Sequence, residues 1–225
     1  MTHDPETRKC ISEPEMRRRF PKAYEYLLRF RPQLLARKTA PIRQQMAEGP
    51  FYPILGIGPY AVTPWKVIFK DLTELFQACV LGPGDSDIPG KPLLADCTLR
   101  LIPAESEGEA HYIAALLNSA PSVAALYYSS TGVQTQRYHA ADAEKIAIPA
   151  FTRKPIQCQL GEISKKCHAA ARVHDWDTVR QLEGRLDSKA AEFWNIGAAQ
   201  VRRIEEALAL ISGGAHAEGD ADNEE

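Results

Sequence analysis

The side chains best suited to chemistry near the start of the chain are cations. Arg17, Arg18 and Arg19 are consecutive, and Lys22 follows three residues later. Such groups neutralise phosphates and release counterions, so a local basic cluster is the usual footprint of a phosphate-binding surface. We therefore predict that these four residues contact a polyanion; the alternatives are a solvated helix face or contacts with another protein domain. Between residues 16 and 43 the one acid is Glu25, against these bases: Arg17, Arg18, Arg19, Lys22, Arg29, Arg31, Arg37, Lys38 and Arg43.

Two later segments carry polar side chains that could also contact nucleic acid. Lys66, Ile68 and Lys70 alternate with Val67 and Phe69, so on a strand the two lysines share one face. We predict phosphate contacts for both, with a solvated sheet face as the alternative. In the polar stretch 131–139, Gln134, Gln136 and Arg137 are candidate base readers, because glutamine pairs with adenine and arginine with guanine in the major groove. The alternative for that stretch is an ordinary polar connection.

Other chemistries find little support in the residues. The cysteines are widely spread without a Cys-x-x-Cys pair, which indicates free thiols in a reducing compartment. Cys158, Cys167 and His168 fit no common zinc spacing, and no nucleophile motif is present. No apolar run approaches the roughly 20 residues that span a bilayer, and the polar N-terminus lacks a signal-peptide core. We predict no catalytic residue, no metal ligand, no membrane contact and a cytoplasmic location.

The elements that would position these residues fall into five segments. Residues 1–12 are predicted to be a disordered N-terminus, and residues 13–48 a basic helical lead-in broken by prolines. Residues 49–153 are predicted to form an α/β (α+β) domain, a small mixed sheet with flanking helices. Apolar residues then recur at steps of three and four, which predicts a helical hairpin or bundle over 154–212. Residues 213–225 are predicted to be an acidic disordered tail.

Short aromatic or β-branched runs, punctuated by glycine and proline, predict the strands. These runs are residues 51–55, 60–62, 65–70, 77–81, 97–103 and 145–149. Helical spacing predicts helices at 106–119 and 122–128. The pair Gly213-Gly214 is predicted to end the last helix.

Taken in order, these segments resemble the carboxy-terminal specificity region of bacterial adenine-specific DNA methyltransferases of restriction-modification and phage-defence systems. They are also similar to the target-recognition domains of type I restriction specificity subunits. The most specific likeness is the run from Phe51-Tyr-Pro-Ile-Leu to Trp65-Lys-Val-Ile-Phe-Lys. Cys97 and Thr98 depart from the polar pair that is usual there, and the loop 82–92 has no clear counterpart. Further likenesses lie at residues 20–38, 95–119, 132–149 and 186–197, so the resemblance spans roughly residues 13 to 212.

The resemblance implies DNA binding without methyl transfer by this chain. The catalytic part of such enzymes needs a Gly-rich turn for S-adenosylmethionine and a Pro-Pro-aromatic loop that binds the flipped-out base. No Pro-Pro pair occurs here, and Gly56-x-Gly58 is followed by Pro59, which indicates a turn. We expect no cofactor in this chain, and S-adenosylmethionine on a catalytic domain outside it. The expected partners are double-stranded DNA and a methyltransferase catalytic domain or subunit.

Two other functions remain open from the sequence. The first is a protein-interaction subunit that docks a methyltransferase or restriction partner through its helices and makes no DNA contacts of its own. The second is a complete small enzyme of unrecognised type, which methyl transfer by the purified chain alone would establish. Salt-dependent DNA binding separates the specificity module from the interaction subunit.

Overall fold

The chain forms two compact units, Met1–Val62 and Thr63–Glu225. The computed structural model describes residues 2–88, 90–96, 98–130 and 136–219. The boundary between the units falls later than the transition predicted at residue 48. None of the helices in the described ranges is long and apolar enough to cross a membrane.

Five short helices make up the first unit, and prolines explain why they are short. Each of the first four helices has a proline in its first turn, where the missing N–H is not needed and where the ring stops the preceding helix. Met16, Tyr24, Phe51 and Tyr52 form the buried core of this unit. The helices are α1 (Glu13–Arg19), α2 (Pro21–Leu28), α3 (Arg31–Leu35), α4 (Ala40–Glu48) and α5 (Pro59–Val62).

The first residues of this unit form a hydrogen-bonded turn. The N–H of Asp4 donates to the carbonyl of Lys9 at 3.0 Å, and the N–H of Ile11 donates to the carbonyl of Thr2 at 2.9 Å. Cys10 and Ile11 pack against the core of the unit, and His3 is buried. Disorder was predicted for residues 1–12, but residues 2–12 are held by these contacts.

The strands predicted at residues 51–55 and 60–62 are absent from the structure, which describes both segments. Arg37 explains the irregular path of the first: its guanidinium donates to the carbonyl oxygens of Pro53 at 2.7 Å and of Phe51 at 3.1 Å. These acceptors are therefore satisfied by a side chain and need no partner strand. The second segment lies in α5. Phe51 and Tyr52, the aromatic residues of the first segment, pack in the core of the unit instead.

The second unit contains a small antiparallel sheet followed by long helices. Strand order in the main sheet is β3-β1-β4, and β2 pairs with β5 in a two-stranded sheet. All of these pairings are antiparallel, whereas the sequence predicted a mixed sheet. The elements are β1 (Trp65–Lys70), β2 (Leu72–Thr73), β3 (Ala78–Leu81), β4 (Leu99–Ala104), α6 (Glu107–Asn118), α7 (Ala120–Ser129), β5 (Gln136–Arg137), α8 (Ala140–Glu144), α9 (Pro155–Arg172), α10 (Trp176–Trp194) and α11 (Ala198–Gly219).

Helix α6 is buried because it lies between the sheet and the helical hairpin. Ala110, Ala114 and Leu117 pack with Val67 and Phe69 of the sheet. The opposite side of α6 packs with α9 and α10 through Tyr112, Ala115 and Leu116. Ser106 starts α6 by accepting a hydrogen bond from the N–H of Glu109 at 3.2 Å. One helix thus joins two hydrophobic cores.

The predicted fold class is confirmed: a small sheet with flanking helices is followed by a helical hairpin. Strands β1, β3 and β4 and the paired helices α9 and α10 lie where the sequence predicted them. The strand predicted at 145–149 is absent, since the described chain there is irregular. Helix α11 continues past Gly213 to Gly219, so the glycine pair does not end it. Residues 220–225 of the predicted acidic tail lie outside the described residues.

Candidate nucleic-acid interface

The arginine run of the first unit is exposed, but two of its three side chains are paired. Arg19 contacts the Glu15 carboxylate at 2.7 Å. Arg17 donates to the Tyr24 hydroxyl at 2.9 Å and lies 3.7 Å from Glu13. Glu13 and Glu15 lie just before residues 16–43, where the sequence has nine bases and one acid. Counting residues 16–43 alone therefore overstated the positive charge that is free to contact a ligand.

Arg18 and Lys22 are the cations of this run that remain available to a ligand. Both side chains are exposed, and neither forms an ion pair with any residue that the structure describes. Arg18 follows Arg17 on α1, and Lys22 lies in the first turn of α2. A phosphate contact in this unit would therefore fall first to these two residues.

Lys66 is buried, which corrects the prediction that it contacts phosphate from an open sheet face. Only 2% of the residue is exposed, and its Nζ donates to the carbonyl oxygen of Leu93 at 2.8 Å. Burial lowers the pKa of the Lys66 ammonium. Leu93 belongs to the segment after β3, and strand alternation alone could not reveal this contact with Lys66. Lys70, at the end of β1, is exposed, and its contact with phosphate stays a prediction.

The three candidate base readers have different environments. Gln134 lies outside the described residues. Gln136 is buried, and its Oε1 accepts a hydrogen bond from the Ser130 hydroxyl at 2.7 Å, so it does not present its amide to a ligand. Arg137 is half-exposed, with 47% of its side chain accessible. Of the predicted readers that the structure describes, Arg137 alone has an exposed side chain.

Arg137 belongs to a cluster around Asp71 that sequence analysis missed. The Oδ1 of Asp71 accepts from Nε of Arg100 at 3.1 Å and from its Nη2 at 2.9 Å. The Oδ2 of Asp71 lies 3.5 Å from Nη1 of Arg137, and Nδ1 of His139 lies 3.8 Å from Oδ1. Three positively charged or protonatable groups therefore surround one carboxylate.

The backbone around Asp71 explains why these groups meet. The N–H of Asp71 donates to the carbonyl of Thr98 at 2.9 Å, which extends the pairing of β1 with β4 by one residue. The carbonyl of Asp71 accepts from the N–H of Tyr138 at 2.8 Å, just after β5. Arg100 on β4 and Arg137 on β5 are thereby brought to the same carboxylate.

The exposure of the cluster makes it positive towards solvent. The Asp71 side chain is 11% exposed, whereas the side chains of Arg100 and Arg137 are 36% and 47% exposed. Two permanently charged guanidinium groups face one carboxylate, and the carboxylate lies beneath them. Such an arrangement presents donors and positive charge to an anionic ligand.

A second polar groove in the same unit is electrically balanced. It lies beside His111 and His168, and burial lowers the pKa of both imidazoles. Lys165 pairs with Glu107 at 2.9 Å, and Arg172 pairs with Asp85. Both cations of the groove are thus neutralised by carboxylates. Within the described ranges, no group of three or more His, Cys, Asp or Glu side chains could hold a metal ion.

Comparison with known proteins gives one informative similarity. No protein-family model matches the chain. The chain is a partial homologue of a type II methyltransferase, M.NspV of Nostoc sp., with 32% identity over 126 residues. The matched segment covers 55% of this chain and 24% of that methyltransferase. The chain is therefore related to a methyltransferase over about half of its own length.

Proposed function

We propose that this chain is the sequence-specific DNA-recognition module of an adenine-specific DNA methyltransferase of the restriction-modification type. The observation that carries the proposal is the similarity to a type II methyltransferase over 126 residues. Transfer of the methyl group would take place on a catalytic domain or subunit that holds S-adenosylmethionine. The module would bind the duplex and present one adenine to that catalytic site.

The exposed cations support this role. Arg18 and Lys22 in the first unit, and Lys70, Arg100 and Arg137 in the second, have accessible side chains. Phosphate contacts from such residues fix the register of a protein on DNA, and contacts to base edges then give specificity. Arg137 is the candidate base reader, while Lys66 and Gln136 stabilise the module from inside.

A second candidate function is a protein-interaction subunit that docks a methyltransferase or restriction partner without touching DNA. The observation that favours it is the exposure of several large apolar side chains on the first unit, of which Tyr26 and Phe30 lie with their ring centroids 5.2 Å apart. Exposed apolar patches are typical of protein interaction sites. These side chains include Phe20 (40% exposed), Tyr26 (58%), Leu28 (37%), Phe30 (41%) and Leu35 (50%).

Salt-dependent binding to duplex DNA separates the two functions. For a recognition module, the logarithm of the association constant falls as the logarithm of the salt concentration rises, with a slope of about −0.9 for each phosphate contact. A pool of short duplexes with a randomised centre supplies the ligand, and selection from that pool reports sequence preference. Absence of binding at low salt would exclude the recognition role and favour the interaction subunit.

Charge-neutralising variants test which cations touch phosphate. Replacing Arg18 and Lys22 together by Gln should weaken binding to all duplexes alike and make the salt slope shallower by about 2. Arg19→Gln is the matched control, because Glu15 already pairs with this guanidinium, and its effect should be smaller. An equal loss for both would refute the assignment of Arg18 and Lys22.

A further inference from the structure

Asp71 contacts two arginines without using all of their donors. A guanidinium has five N–H donors in a rigid planar fork. Arg100 uses its Nε and Nη2 edge on Oδ1 of Asp71, and Arg137 directs Nη1 towards Oδ2. No further hydrogen bond or ion pair joins either fork to a residue in the described ranges, so the other donors are available to a ligand. Because both forks contact the same carboxylate, their orientations are coupled.

We infer that Asp71 is a positioning residue that holds Arg100 and Arg137 as one preformed receptor for two neighbouring acceptor atoms on DNA. The inference rests on the proposed function. The acceptors are either two oxygens of a phosphodiester or the O6 and N7 atoms of guanine, since arginine binds both bidentately. A free arginine loses side-chain freedom when it binds, whereas an arginine already held by a carboxylate loses less.

The exposure pattern separates this arrangement from an ion pair that serves stability alone. The carboxylate is buried, while more than a third of each arginine side chain remains accessible. His139 adds a third protonatable group on the same carboxylate, at 3.8 Å from Oδ1. The cluster therefore carries more positive than negative charge at its surface, which suits an anionic or acceptor-rich ligand.

Asp71→Asn gives a test in which charge and positioning predict opposite results. Removing a negative charge next to a polyanion should tighten binding if the carboxylate matters only electrostatically. If it positions the arginines, binding to the duplex pool should weaken by about tenfold, because the carboxylate holds Arg100 by two hydrogen bonds and Arg137 by an ion pair. Asp177→Asn is the matched control, since Asp177 is an exposed carboxylate that also pairs with an arginine, Arg180.

Circular dichroism and thermal unfolding show whether Asp71→Asn folds. If it does not, two variants that preserve the charge test the positioning role instead. Arg100→Lys and Arg137→Lys keep the charge but lose the planar fork. Each should weaken binding several-fold while the salt slope stays within about 1 of wild type. Unchanged affinity and unchanged sequence preference in both Lys variants would overturn the inference.

The outcomes also distinguish this inference from the proposed function. Wild-type chain that binds no duplex refutes both. Wild-type binding together with equal or tighter binding by folded Asp71→Asn, at unchanged sequence preference, refutes the positioning role alone. Weaker binding to all sequences supports positioning for a phosphodiester, and a changed preference in the selected pool supports positioning for guanine.

Discussion

The side-chain amide of Asn118 forms two hydrogen bonds with the backbone of Ala78. Its Nδ2 donates to the Ala78 carbonyl at 2.7 Å, and its Oδ1 accepts from the Ala78 N–H at 2.8 Å. Ala78 begins β3, an edge strand of the main sheet. Two residues further, the Val80 N–H donates to Nε2 of His168 at 2.9 Å. Side chains from α6 and α9 therefore replace the missing neighbour strand, and this edge is closed to pairing with other chains.

Asn118→Ala should lower the free energy of unfolding by about 2 kcal/mol, because it leaves two backbone groups of the edge strand without partners. Urea unfolding followed by circular dichroism measures the change. Gln181→Ala, at an exposed position of α10, is the control and should change stability by less than about 0.5 kcal/mol. Equal stability of the two variants would show that water replaces the Asn118 amide at no cost.

The local elements of the second unit could be predicted from the sequence, because their apolar spacing matches the period of the structure. Alternating side chains at residues 65–70 predicted β1. Apolar residues at steps of three and four predicted α9 and α10. The same rule failed at residues 51–55, where Tyr52 packs in a core and its hydroxyl donates to the carbonyl of Ile11 at 3.0 Å. Aromatic residues favour strands statistically, but here tertiary packing determined the conformation.

The site was less predictable because its members are far apart in the chain. Arg137 was selected as a candidate by residue type alone. Asp71 and Arg100 meet only through the pairing of β1 with β4, and no spacing in the sequence indicates that pairing. Gln136 was misassigned because residue type does not indicate burial in a short strand.

Acidification should destabilise the protein through His111. Burial, followed by the neighbouring His168, lowers the pKa of His111 from 6.5 to about 4. The unfolded chain therefore binds more protons between these values, and stability that is present above pH 6.5 is lost as the pH falls from 6.5 to about 4. Wild type should lose free energy of unfolding between pH 7 and 5. His111→Asn, which can still face the Ser164 hydroxyl, should make this loss smaller by roughly 1–2 kcal/mol. Urea unfolding at several pH values measures it, and an unchanged pH slope in the variant would contradict the assignment.

Asp187 should give the opposite dependence of stability on pH, because its contribution is lost as the pH rises. Burial raises its pKa from 3.8 to about 6, although its Oδ1 accepts a hydrogen bond from the Ala120 N–H at 2.7 Å. The folded state therefore binds more protons than the unfolded state between about pH 4 and 6, and the contribution of Asp187 falls as the pH rises through this window.

Two substitutions separate the charge of Asp187 from its hydrogen bond. Asp187→Asn keeps the acceptor at the start of α7 and removes the charge, so at pH 7 it should be more stable than wild type by about 1 kcal/mol. Asp187→Ala also removes the acceptor and should be less stable than Asp187→Asn by about 1 kcal/mol. Thermal unfolding at pH 5 and 7 measures both, and a destabilised Asp187→Asn at pH 7 would count against a raised pKa.

Lys66 and Lys70 should behave differently although both lie on β1. Lys66→Met removes the hydrogen bond to the Leu93 carbonyl, so it should lower the free energy of unfolding by about 1 kcal/mol and leave the salt slope of DNA binding unchanged. Lys70→Met should leave stability unchanged and make the salt slope shallower by about 1, because the exposed ammonium can neutralise a phosphate. Urea unfolding and fluorescence anisotropy with labelled duplex measure the two effects in the same preparations. A shallower slope for Lys66→Met would mean that the segment after β3 opens when DNA binds and exposes this lysine.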